Sequence, residues 1–315
     1  MRKPLGIAVL ALGAAAVLWV STGATSWLDV RHEFQSRLKP LSAVTTIDVE
    51  RVGPIRMFLN PDDEVITPRL WAGQVWEATE THWFVQSIRP GDVVVDVGAN
   101  VGYYTILGGL LVGETGRVYA FEPDPVAFEI LRRNVALHRL HNVVLEQKAV
   151  SNEAGGIQFY IAESNKGDHR IYQPEGEQRA SMEVEAVRLD AYFDGVEEAV
   201  DFVKVDTQGA EAMILEGMMN LVRRSEEIVM AFEYSPRHLA GLGSTAQELL
   251  ANLMSLQLRM FVLGRGGPDI QPLKPATPHQ LLRAFSPERR LFTNLLLVKG
   301  RRDLLAQIEA ESTGR

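Results

Sequence analysis

Three acidic residues stand where short apolar runs reach their ends. Asp96 lies within Val93-Val94-Val95-Asp96-Val97 and is followed by Gly98-Ala99-Asn100-Val101-Gly102. Glu122 closes Ala120-Phe121-Glu122-Pro123, and Asp206 closes Phe202-Val203-Lys204-Val205-Asp206. A strand that runs into a glycine-bearing turn and then a helix lets a ligand approach the backbone and meet unpaired N–H groups. The ligand is not read as a dinucleotide. That fingerprint needs a second glycine two residues after the first to admit a pyrophosphate, and Asn100 stands there instead. A carboxylate at Asp96 would repel a pyrophosphate and could receive an ammonium group. Glu122, about twenty residues beyond the turn, is placed to bind two ribose hydroxyls. Adenosine joined to an amino acid describes S-adenosylmethionine.

A sulfonium methyl is already activated, so such a site must align acceptor oxygen, methyl carbon and sulfur. A hydroxyl acceptor also releases a proton, which a positioned carboxylate or imidazole can take. Asp206 is the first candidate for that base, Glu233 the second and His169 the third. Each also has a bland reading: a helix cap for Asp206, a strand-end acceptor for Glu233, a solvated loop residue for His169. Glu211 is expected in the first turn of a helix, where the dipole favours it whatever its function. No metal site is expected, since no His/Asp/Glu cluster has ligand spacing such as H-E-x-x-H. A phosphate loop and a nucleophile elbow are also missing from the sequence.

These residues need a scaffold, and the surrounding pattern supplies one. Val93–Val95, Val118–Phe121, Val143–Leu145, Phe202–Val205 and Ile228–Phe232 are short apolar runs that read as buried strands. Segments near 102–112, 125–139, 209–223 and 244–256 fit helices between most of them. Alternation of this kind implies βαβ units and a parallel sheet covered on both faces. The pattern is interrupted by strand-like 155–160 and 183–187 around a polar, lid-like stretch, 164–179. Upstream, 45–59 alternates and breaks at Gly53-Pro54, and 71–88 has helical spacing. A late strand is expected over 291–298, followed by a charged helical end.

The chain has 315 residues, 46% apolar and 23% charged, with a formal charge of −8. That composition describes a globular protein with a sizeable core. The acidic balance argues against a nucleic-acid partner, which needs a basic surface. Zero cysteines remove disulfides, thiolate ligands and cysteine nucleophiles together. Residues 5–24 carry no charge and would extend roughly 30 Å as a helix, enough to cross a bilayer. Residues 1–28 therefore read as a membrane anchor or signal-like helix, 29–75 as a linker with N-terminal strands, 76–300 as the catalytic domain and 301–315 as a charged tail.

The sequence resembles the FkbM-type methyltransferases. The matching strings are Asp92 to Thr105, Ala120-Phe121-Glu122-Pro123, Ala149-Val150-Ser151, Leu189-Asp190 and Val203 to Glu211, with Trp76-Glu77 and Phe232-Glu233 falling where the family has similar residues. The resemblance implies a Rossmann-like α/β fold with a seven-stranded sheet and helices on both faces. It also implies methyl transfer from S-adenosylmethionine, typically to a hydroxyl of a sugar, polyketide or related small molecule. By the same resemblance Asp96, Gly98 and Gly102 line the methionine end, Glu122 holds the ribose, and Ala149 and Val150 lie near the adenine; Asn100 is counted with them as cofactor-binding. One position departs from the family: Gln208 stands where a glutamate is frequent, and an amide cannot act as a base. Because the cofactor is cytosolic, the catalytic domain is expected on the cytoplasmic side of the membrane. Two other readings stay open, a nicotinamide-dependent oxidoreductase and a membrane-tethered module of the same fold without turnover. The acceptor and the oligomeric state are not legible.

Overall fold

A computed structural model describes residues 44–312 except 197, 265–272 and 290. The apolar stretch 5–24, and with it the expected 1–28 anchor, lies outside the described residues. Among those residues no helix is long and apolar enough to cross a membrane.

The described chain opens on a hairpin, β1 (Val44–Val49) and β2 (Gly53–Phe58), turned at the Gly53-Pro54 break. After the helices Ile66–Trp71 and Ala78–Ser87 come β3 (Val93–Val97), β4 (Arg117–Phe121) and β5 (Val143–Glu146). The helices Tyr103–Val112 and Pro125–Leu137 connect these three strands. The interruption follows as β6 (Ala149–Val150), β7 (Gly155–Ile161) and β8 (Ala180–Val187). The main sheet resumes with β9 (Phe202–Val205), β10 (Ile228–Tyr234), β11 (Arg259–Gly264), β12 (Lys274–Pro275) and β13 (Thr293–Lys299).

The sheet order is β12-β11-β13-β10-β9-β3-β4-β5. The five strands from β10 to β5 are parallel, and β13 enters antiparallel between β10 and β11. The Rossmann-like sheet expected from the sequence is thus present, with the two-residue β12 added at one edge. Strand β11, in the less apolar Arg259-Met260-Phe261 stretch, was not expected.

Side-chain alternation divides the core into two layers. Val93, Val95, Val97, Val203, Val205, Met230 and Phe232 face one cluster. Val94, Phe202, Val229 and Ala231 face the other, with Trp83, Phe84, Tyr104 and Ile106 of the covering helices. The helix predicted over 209–223 is two, Glu211–Gly217 and Met219–Arg224, broken at Met218, whose φ is −125°.

Both ends of the described chain join this body. Asn134 bonds the backbone of Phe58 in both directions and also donates to the Val101 carbonyl, pinning the hairpin beside the glycine turn. The 301–315 segment, expected as a charged tail, carries the helix Arg302–Ser312, which buries Leu304 and Ile308 in the second layer. Charge density on the outer face hid this amphipathic stripe.

Candidate active site

The parallel strands end flush. Val97 pairs with Phe121 on one side and Val205 on the other, and Val205 pairs with Phe232. The residues that follow are Gly98, Glu122, Asp206 and Glu233, so four residues singled out from sequence meet along one carboxyl edge. Ligands bind at that edge in open α/β sheets. A crevice of about 580 Å³ lies there, within the usual range for small-molecule sites.

The glycine turn is shaped by sterics. Gly98 has φ +81°, and a Cβ there would stand 2.2 Å from the backbone oxygen of Asp206. Asn100 also adopts a left-handed conformation, φ +50°, which asparagine tolerates better than most residues. Its N–H donates to Glu122 Oε2 at 2.8 Å, and its amide donates to the Lys166 carbonyl at 3.0 Å. The Asp124 N–H donates to Glu122 Oε1, also at 2.8 Å. Burial nevertheless pushes the Glu122 carboxyl up to about 8, against these two N–H donors.

Alternation then decides which acids face inward. Asp96, Lys204 and Glu233 occupy the same face of adjacent strands as Val94, Phe202 and Ala231. The helix Ala78–Ser87 covers this face and brings Glu80, preceded by Glu77. Lys204 Nζ lies 3.1 Å from Asp206 Oδ2, 3.6 Å from Glu80 Oε1 and 4.6 Å from the Tyr104 ring centroid. Burial opposes the Lys204 charge, but Asp206, Glu80, Asp96 and Glu77 outweigh it and hold the ammonium above its ordinary value. Glu80 also accepts from the Asn294 amide on β13. Glu77, Glu80, Asp96 and Glu233 are all raised, chiefly by burial. Sequence reasoning missed Glu80 and Lys204 as members of a charge cluster. A lysine inside Phe202-Val203-Lys204-Val205 was the available signal, because a buried ammonium requires partners.

Two residues expected at the methionine end stand back from the crevice wall. Asp96 is 1% exposed and does not line the crevice; its Oδ2 accepts from Thr105 Oγ1 at 2.6 Å. The side chain next to Gly98 that reaches the wall is Val97. Gly102 does not line the crevice either. It has φ +91°, and a Cβ there would meet Leu131 Cδ1 at 2.5 Å, so the residue serves helix packing. Gly98, Asn100, Glu122, Ala149, Val150, Asp206 and Glu233 do line the wall.

Asp206 is the more accessible acid, with 33% of its side chain exposed. It does not cap the following helix, whose N-cap residue Ala210 makes no side-chain cap bond. Gln208, at φ +57°, donates its amide to Asp206 Oδ1 at 3.1 Å. Glu211, fully buried in the first helical turn, accepts from the N–H groups of Thr207 and Gly209 and so folds this turn.

The insertion closes one side of the crevice. Its 165–171 stretch lines the wall and is tied to the glycine turn through Lys166. His169 is no solvated loop residue: Nδ1 accepts from the Ala162 N–H at 3.0 Å, and Nε2 lies 3.7 Å from Asp124. Arg170 donates towards His238 Nε2 at 3.2 Å, which leaves the neutral ring's proton on Nδ1, 3.7 Å from Glu233 Oε1. Burial and Arg170 lower the His238 ring to about 4.

The chain is similar to known methyltransferases. The family description "Methyltransferase FkbM domain" matches residues 96–260. The 31-O-demethyl-FK506 methyltransferase FkbM of Streptomyces tacrolimicus is 52% identical over 69 residues, 22% of this chain and 25% of that protein. Methyltransferase sdnD of Sordaria araneosa is 27% identical over 170 residues, 44% of this chain and 65% of that one. The chain therefore matches less than two thirds of the length of either relative. Aeropyrum pernix fibrillarin, solved with natively bound S-adenosyl-L-methionine, is 12% identical with a TM-score of 0.39, covering 82% of this chain and all of that one.

The crevice fits such a cofactor on its own terms. Buried Glu77 Oε2 and Glu233 Oε2, both from residues of the crevice wall, have no hydrogen-bond partner and are open to a cationic ligand. With the family profile spanning just over half of its length, the chain belongs to the FkbM methyltransferase family, and S-adenosylmethionine is its cofactor.

Proposed function

We propose that the protein transfers a methyl group from S-adenosylmethionine to a hydroxyl oxygen of a small molecule such as a sugar or polyketide. The observation that carries this reading is Asp206: a partly exposed carboxylate at the crevice floor, fixed by Lys204 at 3.1 Å and Gln208 at 3.1 Å. The bound cofactor supplies a methyl carbon on a sulfonium sulfur. Asp206 would take the proton that the acceptor hydroxyl gives up as its oxygen gains the methyl group. Glu233 is the second candidate, because its side chain is 5% exposed against 33% for Asp206.

Glu122 would hold the ribose hydroxyls through its remaining lone pairs. Ala149 and Val150 lie with Phe121 and Phe159 along an apolar part of the wall that suits adenine. The relatives named above, one acting on demethylated FK506, support a hydroxylated small molecule as acceptor. Asp206→Asn should bind S-adenosylhomocysteine within about threefold of the wild type. It should lose about 10²–10⁴-fold in transfer of labelled methyl to a panel of polyols and macrolides. Retained turnover in a folded Asp206→Asn protein would remove Asp206 from the mechanism.

A further inference from the structure

Asp96 is the acid next to the glycine turn, yet its carboxylate is spent inside the fold on Thr105 and Lys204. The ammonium of a bound methionine moiety must find a different partner, and two acids in the crevice wall each keep one buried oxygen unpartnered, although Glu77 also shares a hydrogen bond with Glu80. Glu77 stands at the N-cap of the helix Ala78–Ser87 with φ +43°, a conformation that non-glycine residues adopt at a cost. Its Oε2 is buried and has no hydrogen-bond partner. Glu233 approaches from β10, is 5% exposed, and likewise leaves Oε2 without a partner. Both side chains line the same crevice.

The cluster is also short of positive charge. Lys204 is spoken for by Asp206 and Glu80, and the other ionisable groups around Glu77 are Glu80, Asp206, Glu233 and the phenol of Tyr104. The position of Glu77 suits the methionine end. Thr81, one turn along its helix, donates its hydroxyl to the Trp76 carbonyl and lies 3.4 and 3.5 Å from the Tyr104 and Tyr103 hydroxyls, and those tyrosines begin the helix that follows the glycine turn.

Resting on the cofactor assignment above, we propose that Glu77, faced by Glu233, forms the seat for the ammonium group of the methionine moiety of S-adenosylmethionine. In the free protein burial and the neighbouring acids raise the Glu77 carboxyl, which favours its protonated form. An arriving ammonium exchanges that proton for a charge-assisted hydrogen bond.

The test is calorimetric binding of two probes to the full chain: S-adenosylhomocysteine, which carries the ammonium, and 5′-methylthioadenosine, which lacks the amino-acid half. Glu77→Gln is expected to weaken S-adenosylhomocysteine at least tenfold while leaving methylthioadenosine within twofold; Glu233→Gln should give the same pattern with a smaller factor. Titrations in phosphate and Tris at pH 7.5 should show roughly one proton released by the wild type and less by Glu77→Gln. Unchanged S-adenosylhomocysteine affinity in both variants would overturn the seat. So would an equal loss of the two probes, which marks a structural role. Failure of the wild type to bind either probe would instead overturn the cofactor assignment, and the seat with it.

Discussion

At the scale of single residues, the departure at Gln208 gains a physical meaning. Its amide donates to Asp206 Oδ1, a bond that an ionised glutamate in the same left-handed conformation could not make. Gln208→Glu would set two carboxylates against each other beside the proposed base. We expect methyl transfer to fall about tenfold with S-adenosylhomocysteine affinity within about threefold of the wild type. Steady-state kinetics beside calorimetry would check this, and an unchanged or faster Gln208→Glu enzyme would show that the amide is not needed. Asp206 and Glu122 were both legible as residues, since each ends an apolar run. Their hydrogen-bond partners were not, because Lys204, Gln208 and the Asn100 N–H acquire those roles only once the turns are folded.

At the scale of elements, the turn after β3 is the part least open to substitution. Gly98→Ala meets both a positive φ and the Asp206 backbone oxygen, which cannot rotate away as a side-chain end would. Gly113 has φ +67° but open space around it, so Gly113→Ala isolates the backbone term. We expect Gly113→Ala to cost about 1 kcal/mol and Gly98→Ala about 3 kcal/mol or more, read from urea midpoints. Equal costs would mean that the contact between the β3 and β9 turns relaxes freely. The same contact explains why the strand ends are flush: Asp206 N donates to the Val97 carbonyl at 3.2 Å, so one turn templates the other.

At the scale of the whole molecule, the crevice concentrates acids that folding makes hard to ionise. Glu122 rises to about 8 from an ordinary value of 4.5, chiefly through burial. A carboxyl raised on folding gives its full stability below the ordinary value and loses it as pH rises through the folded one. The ligand-free protein should therefore melt at a lower temperature at pH 8.5 than at pH 6, by roughly 2–4 °C or more. Glu122→Gln should flatten that slope while weakening S-adenosylhomocysteine about tenfold. A wild-type melting temperature that climbs from pH 6 to pH 8.5 would contradict this account. The sequence by itself determined the alternation of strands and helices, the glycine turn, the interruption around 164–179 and the acids at the tips of β3, β4, β9 and β10. Those features are local: period, turn chemistry and run length are set by neighbours in the chain. Only the tertiary structure decided that Asp96 points inward while Glu77 and Glu233 face the crevice. It also decided that Gly102 packs on Leu131 and that Glu80 meets Asn294, 214 residues away. Which acid is left free for a ligand depends on which buried cation reaches which carboxylate, and that follows from the packing of distant elements rather than from any local spacing.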